Sequence, residues 1–222
     1  SSVGAAPVQN IGAYGAEAKD SITAIDYFDT NKLEVVRLSC DECQFGYRES
    51  IFKHELRGVA IILAVEFRLH RTPSPNLGYG DVIREVEARG GATLKNIREA
   101  ICAIRASKLP DPKVLGNAGS FFKNPIVKRS VAERLLQDFP DMPHYDLPND
   151  PASVKLAAGW LIDKSGLKGY REGHVGVHNR QALVLVNHGG ATGDEVLHFA
   201  EFVCGVVHNR FGVDISPEVN IL

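Results

Sequence analysis

The chain is organised around the stretch Leu115-Gly116-Asn117-Ala118-Gly119-Ser120-Phe121-Phe122-Lys123-Asn124-Pro125, in which one hydroxyl stands among glycines, two aromatic rings, a cation and an amide. Glycines let a backbone approach a ligand closely, and paired aromatic rings beside a polar side chain are typical of a partly dry cleft wall. The alternative is a tight turn with a buried phenylalanine pair, which this stretch alone favours. The hypothesis that Ser120 carries chemistry therefore depends on the rest of the chain.

A proline-rich run, Lys108-Leu109-Pro110-Asp111-Pro112-Lys113, comes just before this stretch. Apolar residues at helical spacing predict an amphipathic helix over residues 93–107, and the prolines end it and force an extended connection. We therefore expect a domain boundary near residue 109. The Ser120 stretch would then lie at the seam between two halves, where ligand clefts commonly form.

The first half has the pattern of antiparallel strands. Residues 22–28 and 33–38 read as β-strands, and the turn-rich Asp29-Thr30-Asn31-Lys32 between them predicts a hairpin. A long β-branched run at 59–69 predicts a third strand that is buried on at least one face.

The second half alternates helices and strands, with no internal repeat or low-complexity segment. The predicted elements are a helix from the capping box Ser130/Glu133 to Phe139, a helix over 152–164, a buried strand at 182–186, a helix from the capping box Thr192/Glu195 to Gly212, and a last strand at 215–219. The whole pattern predicts an α+β chain.

Length and charge limit the classes of function. At 222 residues the chain suits one large domain or two small ones, and the proline run favours two. The net charge of −2 comes from scattered residues of both signs, which argues against a nucleic-acid or anionic-membrane partner. No apolar run reaches membrane-spanning length. We expect a soluble, cytoplasmic protein, and nothing in the sequence demands more than a monomer.

The four cysteines do not predict a metal site. Cys40 and Cys43 form a CxxC pair, but Cys102 and Cys204 are far away in sequence and provide no second pair for zinc. The eight histidines show no ligand spacing either. A lone CxxC can be redox-active, but acidic neighbours raise a thiol pKa, so incidental reduced thiols are favoured here.

Six motifs carry a resemblance to a known family. They are QNIGAYG at 9–15, FGYRESIFK at 45–53, KLPDPK at 108–113, GNAGSFFKNP at 116–125, KLAAGWLID at 155–163 and PEV at 217–219. In this order, and across essentially the whole chain, they resemble the UDP-N-acetylenolpyruvoylglucosamine reductase family. Members of this family are flavoenzymes that make UDP-N-acetylmuramate for bacterial cell walls.

The resemblance implies a fold of the vanillyl-alcohol-oxidase type. Residues 1–109 would form the second FAD-binding region, truncated at its N-terminus, and residues 110–222 a smaller α+β substrate-binding domain with a C-terminal strand. The family's N-terminal domain, which holds the flavin pyrophosphate on a glycine-rich loop, would precede Ser1, and the tail after Val219 is short. We therefore expect a fragment, which does not necessarily retain FAD or activity.

The resemblance also implies three catalytic residues. In the family, hydride passes from NADPH to FAD and then to C3 of the enolpyruvyl group, which leaves an enolate that needs electrostatic support. Ser120 matches the proton donor to C2. Arg48 matches the arginine at the substrate carboxylate, where a planar fork of donors suits the charge. Glu218 matches the glutamate near the same group.

Further positions match the family's ligand contacts, although each side chain alone has an ordinary structural explanation. Lys108 and Asn124 match diphosphate contacts. The other implied substrate contacts are Tyr145, Lys155 and Gln181 at the uridine and phosphate end, Tyr79 on a mobile loop at 73–81, and Tyr14 in the cleft. The implied cofactor contacts are Gln9, Asn10 and Gly12.

Three functions are compatible with these sequence features. The leading hypothesis is an FAD- and NADPH-dependent reductase of an enolpyruvyl UDP-sugar, present as a fragment. The second is a UDP-sugar binding module without turnover. A different flavin oxidase of the same fold is disfavoured, because Ser120, Arg48 and Glu218 all stand in reductase-type motifs.

Overall fold

The structure, a computed structural model, describes residues 2–72, 74–147 and 150–221. The chain divides between Ile104 and Arg105 into an N-terminal unit and a C-terminal unit. Both units mix helices and antiparallel strands, so the predicted α+β class is confirmed at that level. The functional assignment of residues 1–109 and 110–222 stays a prediction.

The N-terminal unit is built on an antiparallel sheet of three strands in the order β4-β3-β5. Its elements are, in chain order, β1 (Gly12–Ala13), β2 (Ala16–Glu17), β3 (Ile22–Asp29), β4 (Glu34–Ser39), β5 (Ala60–Phe67), α1 (Val82–Glu87) and most of α2 (Leu94–Lys108), whose last turn, from Arg105, belongs to the C-terminal unit. The predicted hairpin is confirmed. Its turn is closed by the buried Asp29, whose carboxylate accepts hydrogen bonds from the backbone N–H groups of Asn31 and Lys32 at 2.9 and 3.0 Å.

The two faces of this sheet differ in chemistry. The inner face packs Ile25 and Tyr27 against Phe52. From β5, Ile62 and Val65 join the same core on either side of a register shift. The predicted strand at 59–69 is therefore confirmed. On the outer face Ile61 and Leu63 are exposed, whereas farther along that face charged side chains pair across the three strands.

A smaller cluster holds α1 against α2. Val82 and Val86, one turn apart on α1, pack with Ala100 and Ile104 of α2. The predicted helix over 93–107 is confirmed as α2. The sequence did not indicate α1, because a helix of 6 residues is too short to establish a helical period.

The C-terminal unit places helices against several small antiparallel sheets around one core. Its elements are β6 (Gly116–Ser120), β7 (Phe122–Lys123), β8 (Ile126–Lys128), α3 (Arg129–Asp138), β9 (His144–Asp146), β10 (Ser153–Leu156), α4 (Ala158–Lys164), β11 (Arg171–Glu172), β12 (Val175–Val177), β13 (Val184–Asn187), α5 (Gly193–Phe211) and β14 (Ser216–Pro217). The sheets have the strand orders β11-β12-β13-β6, β8-β10-β9 and β14-β7.

The long helix α5 confirms the local signals at both of its ends. Thr192 Oγ1 accepts a hydrogen bond from Glu195 N at 3.2 Å, and the Glu195 carboxylate accepts one from Thr192 N at 2.7 Å. Gly212 ends the helix with a φ of 65°. The apolar side of α5 completes a core with α4 and the strands. Strands are also found where they were predicted, at β13 and at the short β14.

The prediction of a single helix over 152–164 is wrong. Residues Ser153–Leu156 form β10, and the helix α4 begins only at Ala158. The segment contains residues that favour helices, but β10 pairs with β8 on one side and β9 on the other. These long-range backbone hydrogen bonds, with Val154 and Leu156 buried, outweigh helix propensity.

The predicted capping box at Ser130 and Glu133 is also wrong. Helix α3 begins one residue earlier, at Arg129, and its N-cap residue Lys128 makes no side-chain capping bond. The backbone carbonyl of Ala152 instead accepts the N–H of Arg129 at 2.8 Å, so the neighbouring chain satisfies this helix end.

Within the three described ranges, no helix combines the length and the hydropathy needed to cross a membrane.

The core of the C-terminal unit predicts a clear contrast between two leucines. Leu161 on α4 is 0% exposed and Leu69 is 80% exposed. We expect Leu161→Ala to lower the free energy of unfolding by about 2–5 kcal/mol, because it removes buried methyl groups and leaves a cavity. Leu69→Ala should change it by less than about 0.5 kcal/mol. Urea unfolding followed by circular dichroism measures both, and similar losses would contradict this account of the core.

Candidate active site

Ser120 is the last residue of a β-strand rather than part of a tight turn. β6 pairs with β13, and Ser120 lies opposite Val184. Gly119 has a φ of +75°, a conformation that side chains disfavour, while an added Cβ there would meet no atom within 4 Å. Glycine is therefore needed at this position for its backbone conformation and not for space.

The two phenylalanines after Ser120 fix the strand in the core. Both are buried, and their rings pack edge to face at 5.1 Å between centroids. The backbone N–H of Phe121 donates to Leu183 O at 2.7 Å. Ser120 is thus a half-buried hydroxyl on a rigid support, which suits a group that must be positioned accurately.

Glu218 comes beside this strand from the C-terminal end of the chain. Strand β14 pairs antiparallel with β7, and Pro217 lies opposite Phe122. The backbone N–H of Glu218 donates to Phe121 O at 2.7 Å. The structure therefore brings the backbones of two predicted catalytic residues, Ser120 and Glu218, into the same corner of the C-terminal unit.

Asn124 and Gln181 both reach the first turn of α4. Asn124 Oδ1 accepts a hydrogen bond from Ala158 N at 3.0 Å. A Cβ built on Gly159 would lie 3.5 Å from Gln181 Oε1 and 3.3 Å from Leu183 Cγ, so glycine permits this close approach. Since the Asn124 oxygen is committed to the helix, its amide nitrogen is the group suited to an anionic oxygen.

Tyr145 and Lys155 form a cross-strand pair. They lie directly opposite each other on β9 and β10, and Lys155 Nζ lies 5.6 Å from the centroid of the Tyr145 ring. This is cation–π geometry. The tyrosine is exposed, so the pair presents an aromatic face and a cation together at the surface.

Lys108 lies at the end of α2, and the segment after it is tied to β6. Asn117 Nδ2 donates to Pro110 O at 3.3 Å and to Leu115 O at 2.8 Å. Asn117 Oδ1 accepts from Gly119 N at 3.0 Å. One amide thus connects the proline run to the strand that ends at Ser120.

In the N-terminal unit, Arg48 is joined to Gly12. The Arg48 guanidinium donates from Nη2 to Gly12 O at 2.7 Å and lies 5.3 Å from the centroid of the Tyr47 ring. Arg48 has a φ of +58°, and its carbonyl accepts a hydrogen bond from Lys53 Nζ at 3.1 Å. The surrounding loop therefore holds this arginine in an unfavourable backbone conformation.

Gly12 belongs to a hairpin with a two-residue turn, which was not predicted from the sequence. β1 and β2 are joined by Tyr14 and Gly15, which both have positive φ values, 55° and 78°. Two positive φ values are typical of a type I′ turn, which usually carries Asn-Gly. A tyrosine in place of the asparagine hid the hairpin signal.

The same turn contacts the loop that carries Tyr79. The Tyr14 and Tyr79 rings meet edge to face at 5.9 Å. Asn76 Nδ2 donates to Gly15 O at 3.2 Å, and Asn76 Oδ1 accepts from Gly78 N at 3.1 Å. Asn76 was not predicted, although an asparagine two residues before a glycine is a known turn signal. Pro73, where the predicted loop begins, lies outside the described residues.

Asn10 supports its loop through internal contacts. It is 0% exposed, and its Nδ2 donates to Glu17 Oε2 at 3.0 Å and to Gly46 O at 2.9 Å. Its Oδ1 accepts from Lys19 N at 2.9 Å. Both amide protons are therefore used within the unit. The adjacent Gln9 is half-buried and shares the loop that Asn10 holds.

Backbone strain concentrates at predicted site positions. Among the described non-glycine residues, those with positive φ are Asn10, Tyr14, Leu33, Gln44 and Arg48. Three of these, Asn10, Tyr14 and Arg48, are ligand or catalytic residues predicted from the sequence. Such conformations cost about 1–3 kcal/mol each and cluster at functional sites.

The cysteines of the CxxC pair are free thiols of low reactivity. Cys43 is fully buried, and burial, followed by Cys40 and Glu42, raises its pKa to about 12. Burial and Asp41 also raise the pKa of Cys40. Burial therefore raises these thiol pKa values more than the acidic neighbours do, although only the neighbours are visible in the sequence. In the part of the chain that the structure describes, no three His, Cys, Asp or Glu residues are grouped for a metal ion.

The contact between Gly12 and Arg48 leaves no room for a side chain. A Cβ on Gly12 would lie 2.8 Å from Ala16 O and 3.2 Å from Arg48 Nη1. We expect Gly12→Ala to destabilise the N-terminal unit by about 1–3 kcal/mol through overpacking. Gly205→Ala is the control, because this helical position is open and alanine should stabilise it by up to about 1 kcal/mol. Chemical denaturation measures the free energy of unfolding of both variants. Equal changes in the two would contradict the steric explanation.

His178 predicts a pH dependence of stability. It is 6% exposed, its Nδ1 has no hydrogen-bond partner among the described residues, and burial, helped by Arg180, lowers its pKa below the ordinary 6.5. The unfolded chain therefore binds the proton more readily. The contribution of neutral His178 to folding stability is therefore complete above about pH 6.5 and is lost as pH falls through the folded-state pKa of this residue.

We expect the free energy of unfolding, measured in urea, to fall as the pH is lowered below about 6.5, and His178→Gln to reduce that fall. Some of it should remain, because burial also lowers the pKa of His188. The control His198→Gln, at an exposed position on α5, should behave like the parent chain. An unchanged pH profile in His178→Gln would exclude this residue as the source.

Comparisons with known proteins agree with this architecture. The family profile described as the C-terminal domain of UDP-N-acetylenolpyruvoylglucosamine reductase matches residues 111–222. A crystal structure of UDP-N-acetylenolpyruvylglucosamine reductase from Thermus caldophilus shares the fold with a TM-score of 0.60, at 24% sequence identity, over 98% of this chain and 59% of that one.

Curated relatives are similar over nearly the whole chain. The chain is 53% identical to the UDP-N-acetylenolpyruvoylglucosamine reductase of Chromobacterium violaceum and 54% identical to that of Pseudomonas aeruginosa, in each case over 224 aligned residues and 99% of this chain. It spans 65% and 64% of the length of these two proteins. By the profile match and these identities, the chain belongs to the UDP-N-acetylenolpyruvoylglucosamine reductase family.

Proposed function

We propose that this chain is the substrate-protonating part of a reductase that uses FAD and NADPH to convert UDP-N-acetylglucosamine enolpyruvate to UDP-N-acetylmuramate in peptidoglycan precursor synthesis. The observation that carries the proposal is the hydrogen bond from Glu218 N to Phe121 O, which puts a carboxyl-bearing residue beside the serine strand. The names of the relatives support the reaction class.

Ser120 is proposed to donate the proton to C2 of the substrate. Hydride addition at C3 leaves an enolate, which is a strong enough base to take a proton from a positioned hydroxyl. The strand supports this role mechanically, since β6 is anchored to β13 and continued by two buried rings. Solvent would return the proton to the serine after each turnover.

Arg48 and Glu218 are proposed to support the negative charge that develops on the substrate carboxylate. A guanidinium can bind both oxygens at once, which a lysine cannot do. Arg48 is held in place by its bond to Gly12 O and by its strained backbone, so little ordering would be required during the reaction. Glu218, in its protonated form, could donate a hydrogen bond to the same group.

The remaining residues of the C-terminal unit are suited to the UDP portion. Lys155 and the Tyr145 ring offer a cation beside an aromatic face, which matches a phosphate next to a planar base. Gln181 and the Asn124 amide can donate hydrogen bonds, and Lys108 can offset the diphosphate charge. Tyr79 and Tyr14 are proposed to cover the sugar side.

The N-terminal unit has features that fit the edge of a flavin. Gly12 belongs to a tight hairpin, Gln9 lies in the segment just before it, and Asn10 fixes that segment from inside. We assign the flavin contacts to Gln9 and Gly12, and to Asn10 the role of holding them in position. When bound, FAD would supply to C3 the hydride that it receives from NADPH.

A second candidate function is binding of a UDP-sugar without turnover. The C-terminal unit alone contains Lys108, Asn124, Tyr145, Lys155 and Gln181, and the family profile matches this unit. The chain spans 65% and 64% of the length of the two reductases named above, so the whole reaction is a stronger claim for this chain than binding alone. A visible spectrum that shows bound flavin would favour the reductase over this binding module.

The proton-donor role is tested by Ser120→Ala in the full-length reductase that carries these residues. Stopped-flow absorbance should show that reduction of the enolpyruvyl substrate slows by about 10²–10⁴-fold, while reduction of FAD by NADPH stays nearly unchanged. Ser130→Ala, at an exposed position on α3, is the matched control and should change neither step. Equal slowing of both steps by Ser120→Ala would contradict the role of Ser120 as proton donor.

A further inference from the structure

The C-terminal unit contains a partly enclosed cavity of about 280 Å³ that the proposed reaction does not use. It lies beside the strand that ends at Ser120, between β6, β12, β13 and the start of α5. Its apolar lining residues are Ala118, Phe121, Val175, Leu185, Val186 and Val196. Phe121, Val175, Leu185 and Val186 form a buried apolar floor, whereas Ala118 is exposed and Val196 half-buried, so the cavity opens to solvent on one side.

The sequence of β6 explains why a space is left between this strand and its neighbours. Between the pairs Ser120–Val184 and Asn117–Val186 the register shifts, so that β6 carries one residue more than β13. This is a β-bulge, and it contains Gly119 in a left-handed conformation. Glycines and an alanine stand where β-branched side chains would normally fill the face of a strand.

The polar groups of the lining are already paired. Asn117 donates to Pro110 O and Leu115 O and accepts from Gly119 N. Asn187 donates to Ala191 O and accepts from the backbone N–H groups of Gly189 and Ala191. Among the described residues, those that line the cavity include no charged side chain. Water that enters from the open side would find few hydrogen-bond partners on these walls, so an apolar ligand could displace it at low cost.

We propose that this cavity is a binding site for a compact, uncharged, two-ring aromatic molecule. An apolar protein cavity of about 150 Å³ accepts a single benzene ring, so the larger space here has room for a fused pair. Neutral chemistry follows from the uncharged lining, because a charged ligand would lose its hydration without a compensating partner. The ligand would contact the bulge of β6 directly, so binding should alter the backbone environment of Ala118, Gly119 and Ser120.

The site is tested on the 222-residue chain itself, with naphthalene as the neutral probe and 1-naphthoate as its charged counterpart. In ¹H–¹⁵N spectra we expect saturable shifts from naphthalene at the amides of residues 116–121 and 185–187, and none from 1-naphthoate. Val196→Phe should fill the cavity and weaken naphthalene binding about tenfold or more. Val114→Phe makes the same change at a position that is 86% exposed and should bind like the parent chain.

The absence of saturable shifts up to the solubility limit of naphthalene would overturn the proposal, as would equal shifts from 1-naphthoate. Unchanged affinity in a folded Val196→Phe chain would place the ligand elsewhere and would also overturn it. If that variant does not fold, Ala118→Val fills the same space from the strand side with a residue that strands prefer. These binding outcomes do not depend on catalysis, so they can fail while the proposed function stands.

Discussion

The backbone hydrogen bonds of residues 116–124 are the constraint on which the C-terminal unit depends. A strand segment inside a protein must satisfy its N–H and C=O groups, and this one does so with two distant parts of the chain, β13 on one side and the segment at β14 on the other. The Phe121 N–H and C=O bond to Leu183 and Glu218 respectively. One short segment thus assembles residues that are far apart in sequence, and the buried phenylalanine pair secures it in the core.

The N-terminal unit uses a different means of positioning, which is compensated strain. Arg48, Tyr14 and Asn10 adopt left-handed backbone conformations that cost about 1–3 kcal/mol each. The compensation is visible in the contacts, because Asn10 makes three internal hydrogen bonds and Arg48 is bonded to Gly12 O. A guanidinium that is already oriented loses less freedom when it meets a carboxylate. The strained loop thus lowers the stability of the unit but keeps the arginine preorganised.

Local signals in the sequence were sufficient wherever neighbouring residues determine the structure. The hairpin around Asp29 and the two ends of α5 were predicted because the side chains of Asp29 and Thr192 bond to their own neighbours. The prediction of one helix over 152–164 was wrong because β10 depends on distant partners, β8 and β9. The same error hid the pairing of Tyr145 with Lys155, which exists only across strands. Motif resemblance supplied the candidate residues, but the internal role of Asn10 required its contacts.

The outer face of the N-terminal sheet has a consequence for how the chain behaves in concentrated solution. Ile61 and Leu63 project from β5, which among the described strands pairs with β3 alone, so exposed apolar side chains lie at the edge of the sheet. Edges of this kind invite pairing with another chain. Farther along the same face, Arg37 bridges Asp26 and Glu66, and such charges oppose stacking of a second sheet. Colloidal stability of the chain would therefore decrease in acid or high salt, which weaken those charges.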